Sequence, residues 1–185
     1  MRKMYLSAPL PFVGQKRMLA KEFMKVLEQY PDGTLFVDLF GGSGLLSHIT
    51  KSLKPHSTVI YNDFDNYRFR MKHIPQTNQL LADIREMVGN SVPRHKIIKG
   101  ELRERIFSRI EQEENSTGYV DFITLSSSIL FSMKYKLSVQ DMRKEALYNN
   151  IRKTGYPECT DYLEGWKSYL ATTRKYSTGI KIFLE

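Results

Sequence analysis

The residues with the clearest chemical potential are a glycine cluster and an acidic residue that follows it at a set interval. Gly41-Gly42-Ser43-Gly44 comes directly after an apolar run. Glycines let the backbone bend sharply and approach a ligand closely, while the N-terminus of a following helix offers free N–H groups. Asp63 stands 19 residues beyond Gly44, close to the ~20 residues expected of a carboxylate that accepts hydrogen bonds from ribose hydroxyls. Together the two features indicate a site for a nucleotide-like ligand.

Each of these features also has a purely structural explanation. A Gly-Gly-Ser-Gly loop can be an ordinary tight turn, and Asn62-Asp63 can be a turn at the end of a strand. A nucleotide-dependent oxidoreductase is a further alternative, but its loop would carry a third glycine, and Gly44 is followed by Leu45-Leu46-Ser47. S-adenosylmethionine therefore ranks above NAD as the ligand.

The elements that must position this site follow from the pattern of apolar residues. Apolar residues recur at helical spacing over 16–30, and Pro31-Asp32-Gly33 then supplies a stop and a turn. Runs rich in β-forming residues predict strands at 34–40 and 58–61, with a helix at 45–53 between them. The order strand, glycine turn, helix, strand is the βαβ pattern of a parallel sheet.

Beyond about residue 75 the pattern changes to a series of helices. Helical segments are predicted at roughly 78–88, 101–114, 120–135 and 138–150. Ser138 is placed to cap the last of them, with Asp141 three residues further on. One more strand is predicted at 180–183. This part of the chain is therefore expected to form a helical lobe.

Composition and charge narrow the class of protein. Of the 185 residues, 41% are hydrophobic and 26% charged, as in an ordinary globular domain. No apolar run approaches the ~18 residues that cross a bilayer, and no signal core follows the first residues, so a cytoplasmic protein without membrane contact is expected. The net charge of +8 suits a polyanionic partner because Lys and Arg neutralise phosphates.

Metal and hydrolase chemistry find little support in the sequence. Cys159 is the single cysteine, and the histidines at 48, 56, 73 and 95 are not spaced as metal ligands. We therefore predict no metal site and no disulfide framework. Neither a Gly-x-Ser-x-Gly elbow nor a phosphate-binding loop ending in Gly-Lys-Ser/Thr is present, which argues against serine hydrolases and P-loop nucleotidases.

Three sequence blocks, spanning roughly residues 9 to 65, carry a resemblance to a known family. Pro11-Phe12-Val13-Gly14-Gln15-Lys16 is similar to a Pro-Phe-x-Gly-x-Lys cofactor motif, the segment 36–44 to a Phe-x-Gly-x-Gly loop, and Asn62-Asp63 to an acidic ribose-binding tip. They stand in the order found in the DNA adenine-N6 methyltransferases that include the bacterial Dam enzymes and related restriction-modification enzymes. The chain resembles that family, and positions 121–135 look similar to helical sequence in some members.

The resemblance implies a site for S-adenosylmethionine. Phe12 is expected to pack beside the cofactor, and Lys16 to reach the carboxylate of its methionine end. Both residues can instead have structural roles, Lys16 as a solvated lysine and Phe12 as a hydrophobic staple at the start of the helix. The residues expected to bind the cofactor are Phe12, Lys16, Asp38, Phe40, Gly41, Gly42, Ser43 and Asp63.

The family's catalytic motif, Asp-Pro-Pro-Tyr or a close variant, is absent from this sequence. That motif holds the extruded adenine by its amino group and stacks the base on an aromatic ring. The seven prolines stand at 9, 11, 31, 55, 75, 93 and 157, and no two are adjacent. We therefore predict no catalytic residue in the chain and little or no activity, because the chain is truncated before the motif or because a second chain supplies it.

The resemblance also places recognition of double-stranded DNA in the helical lobe. Basic residues there would contact phosphates and set the register, while specificity would come from fewer polar groups in a groove. Any single cation can equally belong to a solvated surface. The three candidate clusters are Arg94, His95, Lys96 and Lys99; Lys134 and Lys136; and Arg143, Lys144, Arg152 and Lys153.

The predicted fold is α/β, an incomplete Rossmann-like S-adenosylmethionine-dependent methyltransferase core with a helical inserted lobe. We assign 1–75 to the cofactor-binding βαβ part, 76–170 to the lobe, and 171–185 to a possible further core strand and the chain end. The complete enzyme would transfer a methyl group to adenine N6 in DNA, and a non-catalytic DNA-binding remnant is the alternative. A sheet of only two or three strands has unpaired edges, so a homo-oligomer or a complementing second chain is expected.

Overall fold

A small parallel sheet lies at the centre of the predicted site. The computed structural model describes residues 4–131, 134–163 and 167–169. The strands in these ranges are β1 (Leu35–Asp38), β2 (Thr58–Asn62), β3 (Ile97–Ile98), β4 (Leu147–Tyr148) and β5 (Lys167–Tyr169). β1, β2 and β5 form one parallel sheet in the order β1-β2-β5, with Leu35 opposite Thr58 and Ile60 opposite Lys167. The predicted α/β class, with a parallel pair formed by the first two strands, is confirmed.

The other regular elements of the described chain are helices. They are α1 (Ala20–Glu28), α2 (Leu45–Leu53), α3 (Tyr67–Lys72), α4 (Ile74–Val88), α5 (Gly100–Thr117), α6 (Phe122–Ile129) and α7 (Val139–Arg143). One short 3-10 turn, Lys16–Leu19, precedes α1, and a second, Thr160–Leu163, follows β4. The first predicted helix therefore begins as a 3-10 turn and ends two residues before Tyr30.

Helices α1 and α2 pack together beside β1. Their contact is a small apolar cluster of Ala20, Leu27, Leu45 and Ile49, all buried. Ala20 and Leu27 are seven residues apart and so lie on one face of α1. Because Phe36 of β1 packs against this cluster, the cluster connects both helices to the strand that leads into the glycine loop.

The last two predicted helices of the lobe are shorter than the periodicity indicated. The segment predicted at 120–135 is helical only over Phe122–Ile129, and the segment at 138–150 only over Val139–Arg143. Ser138 does cap α7, because its Oγ accepts a hydrogen bond from the amide of Asp141 at 3.2 Å. The residues beyond α7 are instead drawn into β4, whose pairing with β3 buries Leu147. Long-range strand pairing thus overrides the local helical pattern.

One large cluster of buried apolar residues joins the sheet to the helices. It includes Tyr61 from β2, Tyr67 from α3, Ile84 from α4, Phe107 from α5 and Tyr162 from the last 3-10 turn. The side of the site formed by β2 and α3 therefore shares its core with the predicted lobe. The boundaries after 75 and 170 remain predictions.

Some expectations fall outside the described residues. The predicted strand at 180–183 and the whole segment 171–185 belong to this group. Among the described residues, no helix combines the length and the apolar character needed to cross a membrane.

Candidate functional site

The glycine loop connects β1 to α2 and runs against the ring of Tyr61. A Cβ atom on Gly41 would lie 2.1 and 2.3 Å from two ring carbons of Tyr61 and 2.8 Å from the carbonyl oxygen of Asn62. Gly42 and Gly44 have φ angles of +52° and +67°, in the left-handed region that glycine adopts without steric cost. The loop therefore requires glycine at 41 for close approach and at 42 and 44 for backbone conformation.

Two buried tyrosine hydroxyls hold the loop on its inner side. Tyr61 donates to the carbonyl oxygen of Gly42 at 2.6 Å, and Tyr162 donates to that of Ser43 at 2.9 Å. Burial raises the pKa of both phenols far above the ordinary value, so both stay protonated donors at neutral pH. Since the C=O and N–H of a trans peptide point in opposite directions, holding the Gly42 carbonyl inward turns the Ser43 amide outward.

A cavity of about 410 Å³ opens beside the loop. Six of the eight residues selected from the sequence line it, namely Phe12, Lys16, Phe40, Gly41, Gly42 and Ser43. Phe40 is 82% exposed and Phe64, a further lining residue, is 65% exposed. The cavity therefore combines backbone amides, one cation and accessible aromatic surface.

Phe12 and Lys16 reach the cavity from the segment that precedes α1. The Phe12 ring packs edge-on against the Tyr67 ring, with centroids 5.7 Å apart. A Cβ atom on Gly42 would lie 3.0 Å from a Phe12 ring carbon, so the ring rests on the loop backbone. Lys16 Nζ donates to the carbonyl of Phe40 and lies 3.9 Å from Asp38 Oδ1. The two residues are thus both held in place by the loop.

Asp38 stands at the end of β1, outside the cavity lining. Its side chain is 15% exposed, and its Oδ2 accepts a hydrogen bond from Ser47 Oγ at 2.8 Å. Asp38 therefore connects Lys16 on one side with the first turn of α2 on the other.

Asp63 is also outside the cavity lining, because its carboxylate turns toward α3. It is 3% exposed and accepts hydrogen bonds from the amides of Tyr67 at 2.6 Å and Arg68 at 3.0 Å, and its Oδ1 lies 3.1 Å from the Tyr61 hydroxyl oxygen. Its neighbours Asn62 and Asp65 do line the cavity. Asp63 thus orders the turn that presents them.

Among the described residues, the side-chain oxygen of Asn62 has no hydrogen-bond partner. Its Nδ2 donates to the carbonyl of Leu39 at 3.0 Å, which fixes the amide next to the loop. Its Oδ1 is buried and has no partner within the described chain. A buried acceptor left unpaired costs about 1–3 kcal/mol, so a ligand donor reaching Oδ1 would be favoured.

Arg70 links the Phe12 segment to the helical lobe. Its Nη2 donates to the carbonyl of Pro11 at 2.8 Å, and its Nε lies 3.1 Å from Asp121 Oδ2. Asp121 in turn caps α6 by accepting from the amide of Thr124 at 3.0 Å. Both charged side chains are buried, with 7% and 1% exposure. Neither was selected from the sequence, since a lone Arg and Asp 51 residues apart give no local signal.

Several of the candidate DNA-binding cations are engaged in ion pairs. Lys134 and Lys136 both contact Glu145, at 2.6 and 3.0 Å. Arg143 pairs with Glu104 and with Glu111, at 2.6 and 3.0 Å. These cations are partly neutralised within the protein.

No cluster of three or more His, Cys, Asp or Glu side chains able to hold a metal occurs in the described ranges. Cys159 is a buried free thiol. Buried His48 accepts from the amide of Tyr5 at 2.9 Å, and its other ring nitrogen lies 3.1 Å from the Tyr162 carbonyl. These contacts give His48 a structural role beside the loop.

Comparison with known proteins identifies the family of this chain. The family described as D12 class N6 adenine-specific DNA methyltransferase matches residues 12–156. A Haemophilus influenzae protein named "Putative methyltransferase" is 40% identical over 168 residues, which cover 89% of this chain and 56% of that protein. The chain thus spans about half the length of this relative. Because the family match covers the glycine loop, the Phe12 segment and the helices, the chain belongs to the D12 class of N6 adenine-specific DNA methyltransferases.

Proposed function

We propose that this chain is the S-adenosylmethionine-binding part of an adenine-specific DNA methyltransferase, with a Rossmann-like core and a helical lobe inserted in it. The observation that carries the proposal is the cavity beside the glycine loop, lined by six of the residues expected to bind the cofactor. Its volume of about 410 Å³ lies within the ~300–1,000 Å³ typical of small-molecule sites.

The residues present suit this cofactor chemically. The loop backbone runs so close to the Tyr61 ring that it leaves no room for a Cβ at 41, and Asn62 Oδ1, which has no partner within the described chain, offers an acceptor to a hydroxyl or amino group. Lys16 supplies an ammonium for a carboxylate. Phe12 and Phe64 supply aromatic surface for an adenine ring or a sulfonium.

Each lining group then has a role in holding the cofactor. Lys16 would bind the methionine carboxylate, while Asp38 keeps its ammonium at the loop. The turn from Asn62 to Asp65 would bind the ribose hydroxyls, and Asp63 would either order this turn or join it through Oδ2, which accepts one hydrogen bond. The outward amide of Ser43 would add a donor at the helix N-terminus.

The bound cofactor would supply an electrophilic methyl group on sulfur, and adenine N6 of DNA would receive it. The residues of this chain would bind and orient the cofactor, and the two tyrosine hydroxyls would hold the loop in position. No Pro-Pro pair occurs in the sequence, so the motif that holds the flipped base in this family has no counterpart here. We propose little or no methyl transfer by this chain alone, with double-stranded DNA as the partner of the complete activity.

Calorimetric titration with S-adenosylmethionine tests the proposal. We expect saturable binding by the wild-type chain and a large loss in Lys16→Ala. Asp65→Ala and Asp63→Ala separate direct from indirect roles, because Asp63→Ala should also lower the melting temperature by removing the α3 contacts. Absence of binding by a chain shown to be folded would refute the proposal, and DNA binding without cofactor affinity would identify a DNA-binding remnant instead.

A further inference from the structure

Two segments without any carboxylate meet at the β3–β4 ribbon. Residues 92–99 contain Arg94, Lys96 and Lys99, and residues 147–156 contain Arg152 and Lys153, with no Asp or Glu in either segment. The strands pair antiparallel, with Ile97 opposite Tyr148. The fold therefore brings five cations from distant positions to one surface element.

Hydrogen bonds continue the ribbon beyond the start of β3 and the end of β4. The amide of His95 donates to the carbonyl of Asn149 at 2.9 Å, and the amide of Asn149 donates to that of Lys96 at 2.9 Å. Asn149 Nδ2 also donates to the carbonyl of Val92 at 2.7 Å, and Asn150 Oδ1 lies 2.9 Å from His95 Nδ1. These bonds place the cations on a backbone that is already ordered.

Within the part of the chain that the structure describes, the ribbon cations differ from the other candidate cations because they have no acidic partner. All five side chains are exposed, and within the described ranges none lies within 4.0 Å of a carboxylate, unlike Lys134 and Lys136 on Glu145. Arg85 adds to the surface, because its Nε donates to the carbonyl of Arg152 at 3.0 Å. Like charges held together repel each other, and a polyanion relieves that repulsion.

We propose that this basic ribbon, defined as Arg85, Arg94, Lys96, Lys99, Arg152 and Lys153, contacts the phosphate backbone of double-stranded DNA. The inference rests on the proposed function for the choice of partner. Exposed cations neutralise phosphates and release counterions, whereas cations already paired with Glu release little. The ribbon therefore supplies affinity and register, and Lys134, Lys136 and Arg143 mainly stabilise the lobe.

The test compares two double variants that each remove two positive charges, Arg94→Ala/Lys96→Ala on the ribbon and Lys134→Ala/Lys136→Ala as the matched control. Binding of a 20-base-pair duplex is measured by fluorescence anisotropy from 50 to 200 mM salt. The logarithm of the association constant falls linearly with the logarithm of the salt concentration, and two lost phosphate contacts reduce the steepness of this slope by about 1.8. The fourfold rise in salt should therefore weaken DNA binding by the ribbon variant about 12-fold less than binding by the wild type. The control should keep the wild-type slope.

Equal slopes for the wild type and the ribbon variant, with melting temperatures unchanged, would overturn the inference. So would a larger change in the control than in the ribbon variant. Cofactor titration of the same preparations keeps the two proposals distinguishable. If the chain binds S-adenosylmethionine but the ribbon variant binds DNA as the wild type does, the proposed function stands and the role of the ribbon is refuted. If the chain fails to bind the cofactor, that result counts against the proposed function alone.

Discussion

The buried pair of Arg70 and Asp121 allows a quantitative prediction that joins stability to the site. Asp121→Ala removes a carboxylate that is 1% exposed, and it leaves the Arg70 guanidinium, 7% exposed, without its anionic partner. It also removes the hydrogen bond that Thr124 N makes to the cap of α6. The perturbation therefore combines an unpaired buried charge with a lost helix cap.

The expected cost can be worked out from these contacts. Breaking a buried pair by removing one partner costs about 3–5 kcal/mol, and loss of an N-cap costs about 1 kcal/mol. Since the two effects share one side chain, we expect a total of about 4 kcal/mol rather than their sum. For a chain of this size that corresponds to a fall in Tm of roughly 8–16 °C. Lys25→Ala serves as the control because its pair with Glu22 is exposed, and it should change stability by less than about 1 kcal/mol.

Urea unfolding followed by circular dichroism measures the change in the free energy of unfolding, and calorimetric titration of the same protein measures its affinity for S-adenosylmethionine. Because Arg70 Nη2 holds the carbonyl of Pro11 at 2.8 Å, Arg70→Met should weaken S-adenosylmethionine binding as well as stability, below the temperature at which the variant unfolds. If Asp121→Ala lowers the free energy of unfolding by less than about 1 kcal/mol, the Arg70–Asp121 pair does not hold the Phe12 segment to the lobe. Cofactor affinity unchanged in folded Arg70→Met would refute the link to the cavity.

Three further predictions concern the glycine loop. Gly41→Ala should abolish cofactor binding, since its Cβ would overlap the Tyr61 ring at 2.1 Å; titration checks this, and wild-type affinity in the variant would contradict the loop geometry. Tyr61→Phe should weaken cofactor binding about fivefold, because the hydrogen bond to the Gly42 carbonyl is worth about 1 kcal/mol. An affinity equal to that of the wild type would show that the Tyr61 hydroxyl does not support the site. Burial raises the pKa of Tyr162, so its contribution to stability is complete below pH 10 and decreases as pH rises further, by about 1.4 kcal/mol per pH unit. Tyr162→Phe should flatten this decrease in urea unfolding between pH 9 and 11.5, and an unaltered slope would show that the hydroxyl ionises freely.

The sequence alone determined the parts of the site that depend on local chain geometry. The glycines at 41, 42 and 44 and the strand, loop and helix around them could be predicted because turn chemistry and apolar periodicity act over a few residues. The same holds for the Ser138 cap. The resemblance to the methyltransferase family rested on these local blocks, and the family match confirms it.

Only the tertiary structure decided which groups meet across the chain. Tyr162 reaches Ser43 over 119 residues and Arg70 reaches Asp121 over 51, and no local pattern marks such partners. The structure also turned Asp63 toward α3 and left Asn62 and Asp65 at the cavity. It converted the end of a predicted helix into β4, because pairing with β3 buries Leu147. Composition sets the net charge, but folding decides which cations find a carboxylate and which remain exposed, since ion pairs form between residues that are neighbours in space rather than in sequence.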